Sequence, residues 1–528
     1  MDHRTFPAFA LFALCTVHAG AQCTVNASAD PPSISAGGTS TLTASGAATF
    51  TWSPPTGLSS TTGAEVDASP AVTTTYTVTG VCPWSDVAVG YRHVLAVRAD
   101  GTLWAWGGNG SGQLGTGGIA EEHAPVQIGS DNDWSTVAAG NYHSLALKTN
   151  GTLWSLGENW YGQLGADSGV FHLEPMQVGT ATDWAAASAG SRHSIALRSN
   201  GTLWSWGDNA AGQLGDGTNT GNTAPQQMGT DSDWSTISAQ GFHTLARKSD
   251  GSVWSWGDNT YGQLGDGSGG NQNDPTELTA LGPCTAISAG YYFGLAITNS
   301  GTLWAWGDNG FHQLGQGSNI TEPTPIQVGT ATDWGSVDGG FTHTLAVRTT
   351  GDLYAWGDNT YGQLGTGDNV SHDAPVLVGT GRTISFASPT DLSFALDPDG
   401  RLFGWGYNDF GTLGNGTTDD TNMPGIVNGT EGTADVTVTV GPVGMPDATG
   451  SAPFTLSPNP SVGAAWVIAP AEMLGAQCTI TDATGREVLS HTLTATRERL
   501  DLRGSARGVF LVHVVRGDRE WHARLVLE

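Results

Sequence analysis

Five histidines, His93, His143, His193, His243 and His343, occupy the same place in a repeating sequence. Imidazole ligates metals and moves protons near neutral pH, so this ring is the first candidate for chemistry. Coordination, however, needs ligands within a few ångströms of one ion, and ring-related positions lie further apart than that. Each histidine also stands beside the start of a β-like run, where bonding to neighbouring backbone is the stronger reading. The residues just before them are more informative. They are Tyr91-Arg92, Asn141-Tyr142, Ser191-Arg192, Gly241-Phe242, Tyr291-Tyr292 (before Phe293) and Phe341-Thr342. Turns favour small polar residues. Tyr91, Arg92, Tyr142, Arg192, Phe242, Tyr291, Tyr292 and Phe341 are therefore candidates for a partner-binding surface, because aromatic rings and guanidinium groups anchor interfaces. Partial burial between neighbouring units is the competing reading.

Other chemistry is sparse. Trp160-Tyr161, Tyr261, Phe311, Tyr361 and Phe410 sit inside an Asn-x-x-Gly turn, where packing explains them. The run from Asp266 to Asp274 is rich in oxygen ligands but lacks a calcium-loop signature, so it reads as a solvated turn. No phosphate-binding lysine loop, zinc-protease helix, nucleophile elbow or paired-cysteine metal motif occurs. We therefore expect no catalytic residue, no cofactor and no metal, and a chain that is not an enzyme.

The elements that must position these residues come from the repeat itself. Gly-Thr-Leu-Trp-x-Trp-Gly-x-Asn-x-x-Gly-Gln-Leu-Gly begins at Gly101 and returns with drift from Gly151, Gly201, Gly251, Gly301, Gly351 and Gly400. Each repeat holds four short β-like runs between turn residues; in the second they are about Ser135–Ala139, Ser144–Lys148, Thr152–Leu156 and Met176–Val178. Four antiparallel strands cannot bury both faces alone, and radial stacking of uniform repeats solves that problem. The expected fold is all-β, a seven-bladed β-propeller over residues 82–431 flanked by two small β-sandwich domains. The glycine-rich block resembles the repeat of the regulator of chromosome condensation family. Some repeats depart from it: Cys284 and Thr383 replace tryptophan, Phe293 and Leu392 replace histidine, and Leu156, Tyr354 and Phe403 replace motif tryptophans.

The flanks are read separately. His3 and Arg4, an apolar run from Phe6 to Val17 and the small residues Ala19-Gly20-Ala21 make residues 1–21 a signal peptide, cut between Ala21 and Gln22. Residues 22–81 alternate polar and apolar and resemble the immunoglobulin-like modules of secreted Bacteroidetes proteins. Cys23 and Cys82 bracket them; export permits a disulfide, and two free thiols are the alternative. Residues 432–451 are expected to be a linker. In residues 452–528, Leu456-Ser457-Pro458-Asn459-Pro460, the run from Asp482 to Val488, and Leu500-Asp501-Leu502 leading to Gly508–Val514 resemble the type A sorting domain of type IX secretion. That resemblance implies contact with the secretion machinery and a secreted or outer-surface destination.

Charge narrows the partners. The net charge is −29 and only Lys148 and Lys248 are lysines, so nothing neutralises phosphates. Nucleic acid is excluded as the expected ligand, and no stretch of the mature chain is long and apolar enough to span a membrane. An extracellular protein or glycan is the expected partner. The alternatives are an extracellular polymer-degrading enzyme or a structural spacer. The repeat resemblance also implies nucleotide exchange on a small nuclear GTPase, which export, the acidic charge and the absence of a wedge-like insertion oppose. Secreted propellers of this repeat type that inhibit β-lactamases make protein inhibition a further implication.

Overall fold

The computed structural model describes residues 23–527 except 167–169, 383, 388–389, 442–453, 458–463, 483, 504, 506 and 518. The signal-peptide residues, including Ala21 and Gln22, lie outside that range, as does most of the expected linker. Two compact units are resolved: residues up to 26 with 45–51 and 78–434, and residues 27–44, 52–77 and 435–528.

In the first unit, seven four-stranded antiparallel sheets follow one another from Trp84 to Ile426. The second sheet is typical: Trp134–Ala139, His143–Lys148, Leu153–Glu158 and Phe171–Gln177. Its outer strand begins earlier than the sequence suggests. A bulge lets Trp154 face Gln177 while Glu158 still faces Phe171, so pairing continues past Pro175. The tryptophan of the second Trp-Gly pair is buried between sheets: Trp206 is fully buried and its Nε1 donates to the Gln163 carbonyl of the preceding sheet (2.8 Å). The same bond joins Trp256 to Gln213, Trp306 to Gln263 and Trp356 to Gln313. The first and last sheets meet by equivalent bonds. Trp106 Nε1 donates to Thr412 O (2.8 Å), and Trp84 N donates to Gly400 O as Trp134 N does to Gly101 O. This is the architecture of a β-propeller. Cys23 and Cys82 are joined (S–S 2.09 Å).

Four further sheets lie outside those seven among the described residues. Ser33–Ser35, Glu431–Gly441, Thr74–Val81 and Thr49–Ser53 form one, and Asn26–Asp30, Ser40–Ser45 and Glu65–Ala68 another. Glu431–Gly441 falls where a linker is expected. It is a strand because Val436, Val438 and Val440 alternate with polar residues, a period-two pattern that the prolines and glycines following it obscured. Its end pairs parallel with Ser33–Ser35. The C-terminal sheets enclose a core that includes Phe454, Val467, Cys478, Leu500, Phe510 and Leu525.

Candidate functional site

The geometry of the Asn-x-x-Gly-Gln-Leu-Gly turn explains which of its positions are free. In the second repeat, Asn159 Oδ1 accepts the Leu164 N–H (3.0 Å) and Gln163 Oε1 accepts the Tyr161 N–H (2.9 Å). Gly162 has φ 78°, and a Cβ there would lie 2.6 Å from Thr223 Cα of the next sheet. Asparagine, glutamine, leucine and glycine thus build the turn and dock it on its neighbour. The two x positions carry no such duty and face solvent: Tyr161, Tyr261, Phe311 and Tyr361 are 38–50% exposed. Two turns depart from the rule, one with His312 in place of glycine at φ 68° and the last with Thr412 in place of glutamine.

Each turn sits beside the residues that precede the next sheet's histidine, so the two sets of aromatics share one mouth of the propeller. Arg92 stacks on Phe410 (4.3 Å from ring centroid to Cζ) and Arg192 on Tyr161 (4.6 Å). Tyr292 packs on Tyr261 (4.8 Å). Closer to the axis, Tyr291 packs on Tyr292 and Phe341 (4.7 and 4.8 Å), and Tyr91 on Tyr142 (5.7 Å). The Ser191 hydroxyl donates to Tyr291 Oη (3.2 Å), so this ring reaches two repeats back. Among the eight candidate residues, Arg192 is exposed and the rest are half-buried. Phe242 lies 5.8 Å from Arg192 and is the least engaged of them. Burial raises the Tyr142 and Tyr292 hydroxyls above their ordinary value, with a smaller lowering from Arg92 at Tyr142 and a further rise from Tyr291 at Tyr292.

Carboxylates are interleaved with the rings. Glu158, Asp208, Asp258, Asp308 and Asp358 all occupy the x of Trp-Gly-x-Asn or its equivalent. Their backbone N–H groups donate to the carbonyls of Tyr142, Arg192, Phe242, Tyr292 and Thr342 respectively, which fixes each acid beside a mouth residue. The sequence reading passed over them because the motif treats that position as variable. A small recess is lined by Ala139, Gly140, Asn141, Gly190, Ser191 and Gln240 among others. Gln240 stands where five other repeats have a glycine, at Gly90, Gly140, Gly190, Gly290 and Gly340. With its amide nitrogen inward it donates to Ala289 O (2.7 Å) and Gly339 O (3.0 Å), bridging two further sheets.

The five histidines are fully buried between sheets rather than at the mouth. The expected neighbouring-backbone partners give way to hydroxyls: His93, His143, His193 and His343 bond through Nε2 to the side chains of Ser144, Ser194, Thr244 and Ser393 of the following sheet (2.7–3.1 Å). His243 faces the equivalent position of Gly294, which offers no hydroxyl. Burial pushes His93, His143 and His193 down to about 3, and His243 and His343 to about 4. In the Asp266 loop, the carboxylate accepts from Asn259 and from Ser268 N and Oγ, bonds internal to the loop.

Residues 14–331 and 243–442 match the RCC1-like domain family, and residues 455–528 match the secretion system C-terminal sorting domain. A 49-residue stretch is 39% identical to the ultraviolet-B receptor UVR8 of Arabidopsis thaliana; it spans 9% of this chain and 11% of the receptor. Human WBSCR16 is similar in structure with a TM-score of 0.53 and 25% identity, over 58% of this chain and 84% of that one. Prp20p of Saccharomyces cerevisiae, the yeast RCC1, gives 0.55 and 21%, over 68% and 93%, a likeness of fold. The terminal domain supports export by type IX secretion to the exterior or the cell surface.

Proposed function

Because the chain belongs to the RCC1-like domain family, whose scaffold leaves its turn residues free, we propose that it is an exported binding protein of seven blades. Its aromatic mouth recognises a protein or a glycan outside the cell. The terminal domain engages the type IX machinery, and the flanking sheets form small β-sandwiches, the first immunoglobulin-like. One observation carries this reading. Rings and guanidinium groups from every repeat but the structure-bearing positions converge on a single face, a composition that suits interface anchors. Binding without turnover is the proposed activity. Glu158, Asp258, Asp308 and Asp358 each accept from the glutamine of their own turn, a positional role.

The test is capture from cell-surface extracts and a glycan array, with the full mature chain as bait. Partners retained by the chain but lost from the Tyr142→Ala, Phe242→Ala, Tyr291→Ala triple variant support the reading. Retention of every partner by the triple variant overturns it.

A further inference from the structure

The mouth repeats one construction, a notch between the turn of one blade and the residue before the histidine position of the next. The docking bonds are the same in each. Gln163 O accepts from Trp206 and Ser194, and Gln313 O accepts from Trp356 and Thr344 (2.8–2.9 Å). Phe311 therefore stands to Thr342 as Tyr161 stands to Arg192. Two notches are filled by the chain's own guanidinium groups, Arg92 over Phe410 and Arg192 over Tyr161. A third is filled by Tyr292 over Tyr261.

The notch at Phe311 is not filled. Thr342 is too short to cover a ring, and its hydroxyl donates to Asp391 Oδ1 (2.9 Å). Phe311 is 50% exposed, and among the described residues no ring or cation stacks on it. The acids bonded to Thr342 or to the Phe311 turn are three. Asp358 donates its backbone N–H to the Thr342 carbonyl, Asp391 accepts from the Thr342 hydroxyl, and Asp308 precedes the turn. Burial, and then the neighbouring Asp358 charge, raises the Asp391 carboxyl despite the Thr342 bond. No lysine or arginine among the described residues pairs with Asp308, Asp358 or Asp391. An anionic slot with a bare ring is complementary to the group that already fills its two sister notches.

We propose that the Phe311–Thr342 notch receives an arginine side chain from a basic segment of an extracellular partner, its guanidinium stacked on Phe311 and facing Asp358 and Asp391. The planar, weakly hydrated guanidinium fits a ring-and-carboxylate slot better than a lysine ammonium does. The inference rests on the recognition reading of the mouth and names the chemistry of what is recognised.

Titrating the full chain with a Gly/Ser peptide bearing three arginines, against the same peptide with citrulline, tests it. The arginine peptide should bind at least ~10-fold more tightly, because citrulline keeps the shape and loses the charge. Phe311→Ala and the Asp358→Asn, Asp391→Asn double variant should each weaken binding by ~10-fold, within the range of a desolvated cation–ring contact. The Asp100→Asn, Asp250→Asn double variant, at the far ends of the blades, should change it by less than ~2-fold. Equal binding of citrulline, an unaffected Phe311→Ala, or equal loss in both aspartate doubles overturns the proposal. Dimerisation of the chain abolished by Phe311→Ala would overturn the choice of a foreign partner, since Arg92 or Arg192 of a second copy would then be the guanidinium. Capture that depends on Tyr142, Phe242 and Tyr291 but ignores Phe311→Ala overturns the notch and leaves the recognition reading standing. Notch-dependent peptide binding with no captured partner does the reverse.

Discussion

The two ends of each blade obey different rules. At the end away from the mouth, one cation lies between two rings in repeat after repeat: Arg98 between Trp84 and Trp104, Lys148 between Trp134 and Trp154, Arg198 between Trp184 and Trp204. Lys248 and Arg348 do the same. Where the first-strand tryptophan becomes Cys284, the cation becomes Thr298 while Trp304 stays, so the cation and the ring that starts the blade change together. At the mouth the equivalent positions hold arginine, tyrosine, phenylalanine, threonine and aspartate without such linkage. A position whose partner must change with it is serving packing; a position free to differ between blades is available to a ligand.

The largest expected effect lies between the ends, in the buried histidines. Their ordinary unfolded value is about 6.5, and burial holds them at about 3 to 4 in the fold. The unfolded chain therefore takes up protons that the folded chain refuses. Their contribution is full above pH 6.5 and is lost as pH falls from there toward 3. Inside that window each histidine costs ~1.4 kcal/mol per pH unit, so five together cost several kcal/mol by pH 5. Asp86, raised to about 6 by burial against the pull of the Val137 and Val87 N–H groups, opposes the trend, as do Glu158, Asp391 and Asp420, which burial also raises. Denaturation midpoints measured at pH 7 and pH 5 should fall steeply, and less so in His193→Gln. Midpoints that stay level would remove the histidines from the packing class.

Trp206→Ala comes next. The ring is fully buried between two sheets and its Nε1 bond would go with it, so ~3–5 kcal/mol should be lost. Lys148→Ala follows at ~1–2 kcal/mol. Burial alone would lower the ammonium, but Asp131 and Asp133 (2.6 and 2.9 Å) hold it above its ordinary value while two rings cover it. Chemical denaturation of both variants checks the ranking, and a Lys148→Ala cost equal to that of Trp206→Ala would break it.

This division was partly legible in the residues. The repeat announced four strands per blade, and Tyr91, Arg92, Tyr142, Arg192, Phe242, Tyr291, Tyr292 and Phe341 stood out as wrong for plain turns. Their convergence with Tyr161, Tyr261 and Phe410 was not legible, because each turn docks on the following blade and the contact spans about thirty residues in most cases. The rim carboxylates hid in a position that a motif writes as x. Gln240 was visible as a break in the glycine pattern, yet its bonds reach blades whose angle about the axis no linear spacing encodes. The strand Glu431–Gly441 is obscured for a simpler reason: its alternation runs straight into prolines and glycines typical of a linker.

The smallest stability effect, and the one that decides the comparison, belongs to the mouth. Phe242→Ala removes a half-buried ring whose stacking among the described residues is limited to Arg192 at 5.8 Å, so it should cost ~0.5 kcal/mol or less. The equivalent position already holds threonine in the sixth blade and aspartate in the seventh, and both blades form their four strands. Tyr292 should cost more, since it packs on Tyr261, Tyr291 and Phe341. If Phe242→Ala lowered the denaturation midpoint as far as Lys148→Ala, the mouth aromatics would be packing residues after all, and their variation between blades would need another cause. If the midpoint holds while partner capture falls, the freedom of that position is the property that recognition uses.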